Sequence, residues 1–357
     1  MKKQVLLTAS LFVVLAATFA QNAVSGLVVD ADTKQPLEGA SVFAQNTTLG
    51  SITKADGSFK LLLNKGGYEI VISFTGYTSQ RTNVEGSENK VLDIQLKKED
   101  NSLSEVVIKS SNEVLDGWEK YGAFFIDHFI GATPVADSCV LQNPEALKFY
   151  YFKRSDKLKV LATEPLRINN KALGYTMQYA LDSFIYYYKT DINSYRGNCF
   201  YTQAEGTEEQ QKSWKEARKK IYYGSRLHFM RSYYDSSLKN DGFTVDMLSS
   251  TDKNKFNRIV NPYDTLYYVM NDSTADAELW FDTKVSITYN KQKPEKEYLA
   301  QMGLPLKVPA QISYVTLSDA ILIKPNGYFI DQRSWINEGY WSWKNLADQL
   351  PYDYEPE

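Results

Sequence analysis

The chain holds two histidines, His128 and His228. A zinc hydrolase needs imidazole and carboxylate ligands converging on one ion, commonly two on a short motif and one distant. His128 is followed by Phe129-Ile130-Gly131 and His228 by Phe229-Met230-Arg231, so neither opens a His-x-x-Glu or His-Glu-x-x-His pattern. His128 reads as a boundary position on a helix beside Phe125 and Phe129. His228, seven residues from Ile221, reads as a hydrogen-bonded core histidine. No Gly-x-Ser-x-Gly nucleophile elbow occurs. Ser51-Ile52-Thr53-Lys54 spells Ser-x-x-Lys, but on a strand pattern and without the companion motifs of penicillin-recognising enzymes. Paired carboxylates stay open among the 43 acidic residues, because a glycosidase pair is defined by folded separation. The Asp30/Asp32 loop lacks the third oxygen ligand and the glycine of an EF-hand. No phosphate-cradling glycine loop follows a strand, so no catalytic residue, cofactor or metal ligand is assigned.

Residues that could bind rather than react come next. Cys139 and Cys199 are the only cysteines; in an exported protein they form either a disulfide or two buried thiols. A basic helical stretch carries Lys212, Lys215, Arg218, Lys219, Lys220, Arg226 and Arg231. Lys215, Arg218, Lys219 and Arg226 are its candidates for contact with anionic lipid or lipopolysaccharide, and a solvated face alternating with Glu208, Glu209 and Glu216 is the simpler account. Tyr186-Tyr187-Tyr188 could stack on a glycan, although consecutive strand residues face opposite sides. With 40 basic against 43 acidic residues the net charge is −3, which supplies no long-range field for nucleic acid.

These residues must be positioned by elements that the pattern makes visible. The chain opens MKK, runs apolar through VLLTASLFVVLAATFA and turns polar at Gln21-Asn22. This predicts a signal peptide over residues 1–20 cut after Ala20, with a membrane anchor as the alternative. From Val24 to Leu96, short runs alternate apolar and polar: Phe59, Leu61 and Leu63; Tyr68, Ile70 and Ile72; Leu92, Ile94 and Leu96. A period of two belongs to strands with one buried face. Six or seven such strands over 23–96 predict a small antiparallel sandwich. Asp56-Gly57 between two runs predicts a hairpin.

The ordered set Gly26, Val28, Asp30, Pro36-Leu37, Gly39-Ala40, Val42, Gly50, Thr53, Asp56-Gly57, Phe59, Gly67-Tyr68, Ser73 and Gly76-Tyr77 resembles the carboxypeptidase-regulatory-like domain. The Leu103-Ser104-Glu105-Val106-Val107 tail is similar to the segment that often follows it. The resemblance implies a prealbumin- or transthyretin-like seven-stranded sandwich. It also implies a non-catalytic role and an exported protein of Bacteroidota type, where this module precedes TonB-dependent outer-membrane receptors. Such receptors continue into a plug and a barrel of about 22 strands, for which too few residues remain here.

Residues 97–113 read as a linker, with Val106–Ile108 docking as an edge strand. Residues 114–357 read as a strand-rich α+β domain. A helix is expected over Trp118, Tyr121, Phe125 and Phe129 with a stop at Gly131. A long strand is expected over Tyr175–Tyr188, a single strong helix over 208–239 capped by Thr207, and a strand over Leu279–Thr288. Three readings follow. The first is an exported envelope protein, periplasmic or outer-membrane-associated, whose front module serves interaction or spacing, with an envelope or outer-membrane protein or a glycan as partner. The second is a hydrolase of unfamiliar type acting on glycans or peptides. The third is a small outer-membrane barrel or receptor accessory.

Overall fold

The structure is a computed structural model that describes residues 22–99, 112–252, 254–330 and 332–356. The expected signal peptide, most of the linker and the Val106–Ile108 strand lie outside the described residues.

Seven strands make the front module: β1 (Asn22–Asp30), β2 (Ser41–Ala44), β3 (Gly50–Ile52), β4 (Ser58–Leu63), β5 (Gly67–Ser73), β6 (Gln80–Glu85) and β7 (Lys90–Leu96). They form two sheets, ordered β4-β1-β7 and β3-β2-β5-β6. The apolar positions read from the period of two meet between them. Val24, Val28, Phe59, Leu61, Leu63 and Ile94 come from one sheet, and Val42, Ile70, Ile72 and Val84 from the other. The sandwich is not wholly antiparallel, because β1 and β7 pair in parallel from Val24↔Lys90 to Asp30↔Leu96. Asp56-Gly57 does form a turn, with Gly57 at φ 76°, and a Cβ there would stand 2.6 Å from the Val28 carbonyl oxygen. The strands it joins, β3 and β4, belong to different sheets, so the expected hairpin is a corner between layers.

After the linker, α1 (Gly117–Phe129) packs Phe125 and Phe129 onto a six-stranded sheet. That sheet contains β8 (Cys139–Leu141), β9 (Leu147–Phe152), β10 (Lys157–Ala162), β11 (Leu166–Asn170), β12 (Tyr175–Tyr187) and β13 (Ile192–Gln203). Its order is β8-β11-β12-β10-β9, with β13 along the other side of β12. The 13-residue β12 pairs along its first half with β11 and along its second with β10. Its inward residues are Tyr175, Met177, Tyr179, Leu181 and Phe184, all buried.

The expected single helix over 208–239 is three helices, α2 (Glu208–Tyr222), α3 (Arg226–Tyr234) and α4 (Leu238–Asp241). Thr207 caps α2 with the predicted capping box. The break falls at Gly224, at φ 83°, and Ser225 recaps the chain by accepting the His228 amide. Gly224 is required there, since a Cβ would stand 2.6 Å from the Tyr289 ring.

The remaining strands are β14 (Phe243–Leu248), β15 (Phe256–Arg258), β16 (Tyr268–Asn271), β17 (Asp276–Leu279), β18 (Val285–Tyr289), β19 (Gln311–Leu317), β20 (Ile321–Ile323), β21 (Phe329–Ile330) and β22 (Trp335–Gly339). They form one sheet ordered β15-β14-β18-β19-β22 and another ordered β16-β17-β20-β21. The strand expected over Leu279–Thr288 is therefore two, because β17 and β18 serve different sheets. Short helices α5 (Lys296–Gln301) and α6 (Tyr340–Trp343) complete this half. Its core gathers Phe229, Met230, Tyr233, Trp335, Trp341 and Trp343. The strands are divided among five open sheets, with no closed barrel among the described residues. No helix among those residues is long and apolar enough to cross a membrane.

Candidate functional site

The residues singled out for chemistry disperse. His128 is half-buried on α1, its Nδ1 2.8 Å from the Phe124 carbonyl oxygen. His228 is buried on α3 and accepts the Gly224 amide proton at Nδ1 over 3.1 Å. Burial pushes its pKa down to about 4, so it is neutral near pH 7. Asp30 staples its own loop, accepting the amides of Asp32 and Thr33 and the Tyr77 hydroxyl. Those bonds, the Thr33 amide foremost, hold its carboxyl far below the usual range.

Cys139 and Cys199 are both free. Strands β11 and β12 lie between the strands that carry them. At strand spacing this is about 14 Å, twice the separation a disulfide spans. Burial pushes the Cys139 thiol up to about 12 and raises that of Cys199 further, which leaves both unreactive. Tyr186 and Tyr188 turn toward α1, their rings 4.7 and 5.6 Å from Phe124, and only Tyr187 points outward.

The cationic quartet also divides. Lys215 and Lys219 are exposed. Arg218 is buried, donates to the carbonyls of Leu173 and Gly174 over 2.7 and 3.0 Å, and stacks 3.9 Å over the Tyr175 ring. Arg226 is half-buried with its guanidinium 5.5 Å from Phe329. Lys215, Arg218 and Lys219 nonetheless line one cleft, which Arg226 does not reach.

What the structure assembles instead is a seam between the front module and the body. The loop after β2 enters between β13 and the C-terminal tail. There Asn46 donates its amide to the Cys199 carbonyl over 2.7 Å, and Thr47 accepts from the Tyr201 amide over 3.0 Å. The Tyr352 amide donates to Asn46 over 2.8 Å, and Asp353 takes both the amide and the hydroxyl of Thr48. Phe43 packs on Phe200 at 5.3 Å. Gly50 lets that ring approach, since a Cβ would stand 2.7 Å from it. A second contact joins Gly67 and Asn326 by two hydrogen bonds. Beside it Lys324, almost wholly buried, ion-pairs with Glu85 of the front module and Asp276 of the body. Its burial would lower the ammonium pKa, but the bonds to Asp276 and Glu85 outweigh that and raise it.

Arg231 on α3 ties the seam together. Its guanidinium donates to the carbonyls of Asn326, Tyr354 and Tyr352 over 3.1, 2.8 and 3.0 Å, and it lies 3.4 Å from the Glu355 carboxylate. One buried cation thus anchors two of the segments that hold the front module, the Asn326 turn and the C-terminal tail, while β13 holds it separately. Sequence reading counted Arg231 among surface cations. The signal was its neighbours, since an arginine flanked by Leu227, His228, Phe229, Met230 and Tyr233 sits on a face with no water.

A cleft of about 480 Å³ opens on this seam, walled by Thr48, Tyr175, Lys215, Arg218, Lys219 and Asp353 among others. A second of about 480 Å³ lies between β14 and the 259–267 segment, with Arg258, Asp264 and Asp282 at its rim. The carboxylates whose proton affinity is raised by burial, Glu69, Asp235 and Asp348, line neither cleft. Among the described residues no group of three His, Cys, Asp or Glu side chains is placed to hold a metal ion. The seam offers polar contacts and a fixed geometry between modules.

Comparison with known proteins falls on the front of the chain. The family model described as a CarboxypepD_reg-like domain matches residues 24–108. The chain is similar to the TonB-dependent receptor SusC of Bacteroides thetaiotaomicron, 36% identical over 113 residues that make 32% of this chain and 11% of the receptor. It is similar also to the TonB-dependent receptor P39 of Formosa agariphila, 35% identical over 89 residues, 25% of this chain and 8% of that one. The chain therefore spans about a tenth of the length of these curated relatives. A DUF3823 family protein from Bacteroides ovatus superposes at TM-score 0.19 with 10% identity, over 52% of this chain and 82% of that chain, too loosely to carry a fold. Strand order, turn chemistry and the family match converge on one stretch, and residues 24–108 are a CarboxypepD_reg-like domain similar to part of two TonB-dependent receptors.

Proposed function

We propose that the protein is an exported cell-envelope component in which the CarboxypepD_reg-like module serves as a non-catalytic, rigidly mounted interaction module. The carrying observation is the seam. A module held by backbone pairing at 46–47, a buried lysine between Glu85 and Asp276, and the Arg231 anchor presents its β4-β1-β7 sheet, with Leu27, Leu62 and Val91 exposed, in a fixed orientation relative to the body. Support for the envelope assignment comes from the apolar leader pattern over 1–20 and from similarity to TonB-dependent receptors. The partner expected under this reading is an envelope protein, with a glycan at the seam cleft as the small-molecule counterpart.

Fractionation of cells producing a C-terminally tagged chain tests this. Recovery in the envelope fraction with residues 1–20 removed is expected. Recovery in the cytosol with the leader intact, or turnover on a glycan and peptide panel that is abolished by replacing one carboxylate, would overturn it.

A further inference from the structure

Helix α5 ends in a turn whose outward side chains are apolar. Tyr298 and Leu299 bury into the core. The helix is closed by Gly303 at φ 61°, the Leu304 amide donating to Leu299 over 2.8 Å, and the Val308 amide donating to Pro305 over 3.2 Å. The residue after such a glycine ordinarily packs back on its helix. Here Leu304 stays 41% exposed, with Met302 at 46% and Leu306 at 70%. Every residue from 300 to 307 is exposed, so the turn projects from the body while its own hydrogen bonds fix its shape.

We propose that this turn docks the protein on an anionic lipid surface. Charge selects the occupant. Lys307 lies in the turn itself, and Lys293 and Lys296 flank the other end of the six-residue helix, all exposed. Against them stands a single exposed acid between residues 291 and 308, Glu297, while Glu295 is drawn inward onto Lys344. This local cationic excess sits in a chain of net charge −3. Apolar side chains on a projecting tip, with Lys307 beside them and two more lysines at the far end of the same short helix, suit the headgroup layer, where burial of apolar area and attraction to anionic lipid add. The lipid contact thus lies at this turn, not on the basic helix α2. It goes beyond the envelope assignment and is tested apart from it, with purified protein.

The chain from Gln21 onward contains the whole described fold and omits the leader, which would partition into lipid by itself. It is sedimented with phosphatidylcholine vesicles, with and without about one-third phosphatidylglycerol. Pelleting is expected with the anionic vesicles, falling about fivefold or more for Leu306→Asp and about fivefold for Lys307→Glu. The pair Lys215→Glu and Lys219→Glu on α2 should leave it unchanged. Unaltered melting of Leu306→Asp, whose side chain is mostly in water, excludes loss of fold as the cause. The proposal is overturned if the parent stays in the supernatant with both vesicle types, as it would if a protein were the true occupant. It is equally overturned if Leu306→Asp pellets as the parent does, or if the α2 pair abolishes pelleting.

Discussion

His228 accepts the Gly224 amide while the rings of Tyr222, Tyr223, Phe243 and Tyr289 enclose it. Burial first, then Lys291 and Arg231, keep it neutral down to about pH 4, and Asp241 offsets them only in part. An unfolded histidine titrates near 6.5, so between about pH 6.5 and 4 the unfolded state binds the extra proton. The stability contributed by the neutral imidazole is complete above that window and is lost as pH falls through it, by about 3 kcal/mol at pH 4. In His228→Gln the loss of urea-unfolding free energy between pH 7 and 4 should shrink by a comparable amount. An unchanged pH slope would show that other groups set the acid sensitivity. The histidine's placement in a core was legible from its apolar neighbours at helical spacing. Its hydrogen-bond partner was not, because that partner exists only once the helix breaks.

At the scale of the element, the break between α2 and α3 decides how the second half packs. Gly224 points its amide to His228 and its carbonyl to the Trp341 indole, so the groups freed by the break are satisfied. A Cβ at 224 would meet Gln311 at 2.4 Å and Tyr289 at 2.6 Å in a left-handed backbone. Left-handed strain and overpacking together make Gly224→Ala cost about 2–4 kcal/mol. Equilibrium urea unfolding measures this, and a loss below about 1 kcal/mol would mean the site relaxes freely. A glycine inside a helical pattern was visible in the sequence. Whether it interrupts the helix depended on the β18 and β19 side chains against it, and no local propensity reports those.

At the scale of the whole molecule, the seam holds the front module on the body. Replacing Arg231 by Met leaves the carbonyls of Asn326, Tyr352 and Tyr354 without their charged donor in a buried setting, which costs about 3–5 kcal/mol. Calorimetry should show one cooperative transition for the parent. In Arg231→Met the front module should separate as its own transition, with faster proteolysis between residues 97 and 113. Arg231→Lys should recover less than half the loss, because an ammonium cannot serve three divergent carbonyls at once. A single, unshifted transition in Arg231→Met would show that Lys324 and the 46–47 pairing hold the modules without it.

The strands of residues 22–96, the α1 helix and the Thr207 cap were legible in the sequence because each is written in local periodicity and turn chemistry: alternate burial, apolar spacing, a hydroxyl three residues before an amide. The parallel β1–β7 pair, the layer-crossing corner at Gly57, the separation of the two cysteines and the inward turn of Arg218 and Arg231 were decided by tertiary structure alone. Each is a relation between residues distant in the chain. Periodicity records which face of an element is apolar, and it carries no record of the surface that face will meet.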